Sequence, residues 1–122
     1  MNRVLFAWIG NTDLKSAEEN RTGELGPIAQ VAKQGAFARL VLLNNYGQER
    51  NPEGYVAWLK QHSSAPVDLV PVKLPSPTDF AAIYVAARDR VEMVMKGARG
   101  RLKPVFHLSP GTPAMAAIWI IL

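Results

Sequence analysis

The 122 residues include no cysteine. That excludes disulfide frameworks, thiolate metal sites and cysteine nucleophiles, and it fits a cytoplasmic location, which is the expectation. Histidine is scarce as well. The two present, His62 and His107, are far apart in sequence, and nothing in their spacing suggests a metal site or a bound cofactor. Long apolar runs are also missing. The run that ends at Leu122 is far shorter than the roughly 20 residues a membrane-crossing helix needs, so no membrane partner is expected. The apolar segment Val4 to Ile9 has no small-residue cleavage site and leads straight into polar residues. It therefore reads as a strand and not as a signal peptide. No carboxylate or nucleophile is placed beside His107 by its neighbours, so a satisfied core histidine is expected there and no catalytic residue is assigned.

What is present describes one domain with a real core: 48% hydrophobic and 20% charged residues, ordinary values for a globular chain of this length. The net charge of +4 has its excess in Arg88, Arg90, Lys96, Arg99, Arg101 and Lys103. No DNA-binding pattern accompanies that cluster, which reads as a solvated face near a helix end.

Val4 to Ile9 is continuously apolar, as a strand covered on both faces must be, and Gly10-Asn11-Thr12-Asp13 breaks it. Lys15 to Glu24 reads as a polar loop with at most one helical turn at Ser16 to Glu19. A helix follows from Pro27 to Gln34, closed by Gly35, and then a second strand from Ala38 to Asn44. After the turn Asn45-Tyr46-Gly47, Asn51 caps a helix that opens with Pro52 and ends before His62, a residue expected to face solvent. Val67 to Leu74 is a third strand, and Pro71 assigns it to a sheet edge. Thr78 or Asp79 caps the longest helix, Phe80 to about Lys96, ended by Gly97 and Gly100. The fourth strand, Pro104 to Leu108, stops at Ser109-Pro110-Gly111-Thr112-Pro113, and an apolar helix runs on to Leu122, with Thr112 as N-cap and Pro113 in the first position.

Strands alternating with helices give the α/β class, with a Rossmann-like parallel sheet of order 3-2-1-4 and helices on both faces. The chain stops in mid-helix at Ile118-Trp119-Ile120-Ile121-Leu122 without a C-cap. The expectation is therefore an N-terminal fragment, truncated after the helix that follows the fourth strand. Trp119 and its neighbours would then be either core for missing strands or a dimer face.

In that strand order the first and fourth strands are neighbours, and the loops at their carboxyl ends meet at the topological switch point, where open α/β sheets bind ligands. The candidate ligand-binding residues are thus Gly10, Asn11, Thr12 and Asp13 together with Ser109, Pro110, Gly111, Thr112 and Pro113. Thr112 Oγ1, Ser109 Oγ and the backbone N–H groups near Gly111 suit a phosphate. Asn11 and Thr12 suit ribose hydroxyls or base edges. Asp13 sits awkwardly beside a phosphate; it caps the following segment, or accepts a ribose hydroxyl or an adenine amine. Asn44, Asn45 and Tyr46 follow the second strand at the same sheet edge and are further candidates, with Tyr46 either stacking on a base or covering a core edge.

The two loops, Gly10-Asn-Thr-Asp13 and Ser109-Pro-Gly-Thr-Pro-Ala-Met115, in this order of elements, resemble the CRISPR-associated Rossmann fold (CARF) family. Within it, the chain is most similar to the N-terminal sensor domains of sigma-54-dependent transcriptional regulators of the RNA-repair type. Pro110 stands where CRISPR effectors commonly have a Gly-Gly-Thr turn. The resemblance implies one ligand-sensing domain over residues 1–122, acting as a homodimer. It would bind a cyclic oligoadenylate or another RNA-derived nucleotide and control a C-terminal output module, the part through which DNA would be reached. Two alternatives stay open: a metal-independent ring nuclease that cleaves such a nucleotide, and a dimerisation domain with both loops idle.

Overall fold

The computed structural model describes residues 2–20 and 23–122. The elements run β1 (Arg3–Trp8), α1 (Asn11–Glu18), α2 (Pro27–Gln34), β2 (Arg39–Asn44), α3 (Pro52–Leu59), β3 (Val67–Pro71), α4 (Phe80–Ala98), β4 (Lys103–Phe106) and α5 (Pro113–Ile121), with a short 3₁₀ turn at Gln48–Arg50. All pairings are parallel and the strand order is β3-β2-β1-β4. This is the Rossmann-like α/β sheet expected from the alternation of elements.

The continuous apolar run of β1 becomes intelligible once both faces are covered. Leu5, Ala7 and Ile9 enter one core with Leu14, Ile28, Ala29, Tyr55 and Leu59, under α1, α2 and α3. Val4, Phe6 and Trp8 enter a second core with Ile83, Ala87, Met115, Ile118 and Trp119, under α4 and α5. A strand alternates its side chains between faces, so a strand flanked by helices on both sides must be apolar at every position. The chain moves outward from β1 to β3 with its helices on the first face, then returns past β1 to β4 with α4 on the second. That reversal puts the switch point between β1 and β4. Pro71 closes the edge strand, and the ladder continues one step further through Val72 N–H donating to the Asn44 carbonyl at 2.8 Å.

Several expectations need correcting. Lys15 to Glu24 is not a loop throughout, because α1 occupies Asn11–Glu18; residues 21 and 22 of that stretch lie outside the described residues. The helix was hidden because its apolar face is only Leu14 and Ala17, while its start is fixed by polar chemistry at Gly10 and Asp13. Gly97 lies inside α4, and the left-handed Arg99 (φ 51°) ends the helix with Gly100. Trp119 is buried at 2% exposure, stacked on Phe106 at 5.0 Å between centroids; the exposed large hydrophobic residues of α5 are Ile120 and Ile121. His62 is half-buried and packs edge-on against Trp58 at 4.7 Å. Strands three and four are shorter than read, ending at Pro71 and Phe106.

Candidate functional site

The loops after β1 and β4 approach each other closely at two glycines. A Cβ built on Gly10 would lie 2.8 Å from the Gly111 nitrogen, so a side chain there would force the loops apart. Gly111 has φ +86°, a conformation open to glycine at little cost, and a Cβ there would meet Met115 Sδ at 2.7 Å. The two loops enclose a crevice of about 200 Å³, lined by Gly10, Asn11, Thr12, Asp13, Ser109, Pro110, Gly111 and Thr112, with Tyr46 and Pro27 completing the wall.

Both loops hand the chain to a helix at this point. Gly10 is the N-cap of α1 and Thr112 the N-cap of α5. The crevice therefore faces two helix N-termini, each equivalent to about half a positive charge. Thr112 Oγ1 accepts from Met115 N–H at 3.3 Å and donates to the Pro77 carbonyl at 2.7 Å. This hydroxyl thus ties the fourth-strand loop to the turn before α4, while Ser109 on the same loop is exposed.

Asp13 is a structural carboxylate with no exposed surface. One oxygen accepts from Gly10 N–H at 2.9 Å and the other from Ile28 N–H at 3.0 Å. It therefore reaches back to its own N-cap and also caps α2, whose N-cap, Gly26, has no side chain to do so. Burial raises its pKa above 3.8, opposed by those two N–H groups and by the nearby His107. Of the roles left open for Asp13, the structure shows the capping one, while the residue also lies in the lining of the crevice. His107, half-buried at the end of β4, has Nε2 3.0 Å from the Pro27 carbonyl, so this nitrogen carries the proton and donates. It is a satisfied histidine that pins α2 beside the crevice.

The remaining candidates divide. Pro113 lies at the start of α5 and is not among the lining residues. Asn44 is 3% exposed and folds onto the backbone of Tyr46: its Nδ2 donates to the Tyr46 carbonyl at 2.8 Å and its Oδ1 accepts from Tyr46 N–H at 3.2 Å. It positions Tyr46, whose ring borders the crevice on one side. On the other side a wider hollow of about 420 Å³, lined by Asn45, Lys73 and Leu74 among others, opens at the carboxyl ends of β2 and β3.

Two residues escaped the sequence reading. Pro27 lines the wall, which only the folding of α2 under Asp13 could reveal. Arg50, in the 3₁₀ turn, donates from both terminal nitrogens to Asn11 Oδ1 at 3.2 Å and from Nε to Glu18 at 3.2 Å, and its guanidinium lies 5.3 Å from the Tyr46 ring centre. Nothing local in Gln48-Glu49-Arg50 announces that reach.

No family model and no curated protein matches the chain. Among solved structures, it is similar to Enterococcus italicus Csm6 bound to cyclic hexa-2'-fluoro-hexa-dAMP, with a TM-score of 0.82 and 16% identity. The match covers 99% of this chain and 30% of the Csm6 chain. At this identity the likeness is one of fold: the Rossmann-like α/β architecture is shared over essentially the whole chain. No helix among the described residues is long and apolar enough to cross a membrane.

Proposed function

We propose that this chain is a sensor domain that binds a cyclic oligoadenylate, or another RNA-derived nucleotide, in the crevice between the loops after β1 and β4. One observation carries the reading: the two loops touch at Gly10 and Gly111 and aim the N-termini of α1 and α5 into one crevice. Backbone N–H groups at such helix starts favour phosphate. Asn11, Thr12 and Ser109 are exposed around them to serve ribose hydroxyls and base edges, and the Tyr46 ring at the rim suits a base face. The likeness in fold to a protein holding a cyclic hexanucleotide analogue supports the same ligand class.

A crevice of about 200 Å³ is small for a cyclic oligonucleotide. The domain therefore works as a homodimer, with two crevices sharing one ring across the two-fold axis. Residues 1–122 form the sensor of a longer cytoplasmic protein, and ligand binding biases a C-terminal output module. The likeness of the loops favours a transcriptional output of the sigma-54-dependent kind, with DNA contacted by that module alone.

Amide chemical-shift mapping with cyclic tetra- and hexa-adenylate tests the site. Shifts concentrated at Asn11, Thr12, Ser109 and Gly111 are expected. Shifts confined to α4 or to the far end of α3 would overturn the placement. Chromatography of the nucleotide after incubation distinguishes a sensor, which returns it intact, from a ring nuclease.

A further inference from the structure

A nucleotide ring carries one phosphate per residue, yet among the described residues no lysine or arginine lines the crevice. The helix N-termini supply partial charges only. Among the described residues, a cation in contact with the crevice lining is Arg50, which itself lines a separate cleft of about 260 Å³ between α1 and α3, with Glu18, Asn51 and Tyr55. It touches two walls of the crevice at once, holding the Asn11 side chain and lying over the Tyr46 ring.

We infer that Arg50 is the anion-recognising side chain of the crevice, and that a ligand phosphate takes its guanidinium from Asn11 and Glu18. The inference rests on the nucleotide reading of the site and assigns a cation to it. Its present bonds are of the kind a phosphate displaces. All are 3.2 Å long, where charge-assisted bonds usually measure about 2.7–2.9 Å. Asn11 offers a neutral amide oxygen. The pair with Glu18 has side-chain exposures of 26% and 48%, and an ion pair so open to water holds its partners weakly. A phosphate at the N-termini of α1 and α5 would offer two charged oxygens to the planar fork.

The exchange has consequences on both sides. Asn11 Oδ1, now occupied by Arg50, becomes free to accept from a ribose hydroxyl or an adenine amine. Glu18, at the last turn of α1, loses its tie to the 3₁₀ turn before α3. Occupancy of the crevice is thereby transmitted to the junction of α1 and α3, on the face of the sheet opposite α4 and α5. Glu18 acts as a competitor for Arg50, so removing its charge should help the ligand.

The test is calorimetric titration of cyclic tetra- and hexa-adenylate into wild type, Arg50→Ala, Arg50→Lys and Glu18→Gln at several salt concentrations. Arg50→Ala is expected to bind about tenfold or more weakly, with the slope of log affinity against log salt reduced by about 0.7, the value for one phosphate contact on a single strand. Arg50→Lys keeps the charge but not the fork, and should recover the salt slope and only part of the affinity. Glu18→Gln should bind about two- to fivefold more tightly. Wild-type binding with an unchanged affinity and salt slope in Arg50→Ala would overturn the inference and leave the nucleotide reading standing. A Glu18→Gln variant that binds more weakly than wild type would overturn the exchange. Absence of binding by wild type would overturn the nucleotide reading, and this inference with it.

Discussion

Replacing Asp13 with alanine should loosen the crevice from beneath while leaving its surface chemistry in place. The carboxylate satisfies Gly10 N–H at 2.9 Å and Ile28 N–H at 3.0 Å, both in buried residues. Leaving a buried donor without a partner costs about 1–3 kcal/mol each. Removing a buried carboxylate returns part of that, because burial disfavours its charged form. The net loss is about 2–3 kcal/mol, or roughly 10 °C in Tm for a domain of this size. The pH dependence has a definite sign. The folded pKa lies above the unfolded value of 3.8, so the native state holds the proton more tightly and wild-type stability from this group falls as pH rises from 3.8 through the folded pKa. The stability gap between wild type and Asp13→Ala should accordingly narrow across that window and then level off. Asp13→Asn, with one acceptor and an amide N–H₂ facing the other donor, should regain at most half of the loss. Thermal melts from pH 4 to pH 8 measure all three. A loss below about 1 kcal/mol, or a gap that widens with pH, would refute the capping role and its electrostatics.

Gly10→Ala places a methyl carbon 2.8 Å from the Gly111 nitrogen; separating the loops should cost about 1–3 kcal/mol and weaken nucleotide binding, seen in paired melting and titration. Thr112→Ala removes the N-cap of α5 and the bond to Pro77 and should cost about 1 kcal/mol, with Thr112→Ser recovering most of it in denaturant titration. Trp119→Ala empties the stack against Phe106 and should cost about 3–5 kcal/mol, measured by the same method. A loss under 1 kcal/mol would mean that the face under α5 does not pack as described.

The sheet order was legible because the apolar runs of the first two strands and the edge-marking Pro71 leave few topologies for four parallel strands, and right-handed crossovers remove most of those. The two candidate loops followed from that order together with their glycine, hydroxyl and proline residues. What stayed hidden depended on contacts distant in sequence. α1 is nearly polar and is held by Asp13, whose second partner, Ile28, is fifteen residues away. Arg50 reaches Asn11 across thirty-nine residues, a relation no local pattern encodes. What Trp119 packs against was not legible either, because its partners Phe106 and Phe6 lie far from it in sequence.

Calorimetric titration of the wild-type protein with cyclic tetra- and hexa-adenylate, with NAD as a control, bears most directly on the central claim. The account predicts saturable binding of a cyclic oligoadenylate at one ring per two chains, lost in Asn11→Ala and absent for NAD. A folded protein that takes up neither ring, or binds them unchanged after Asn11→Ala, would contradict it.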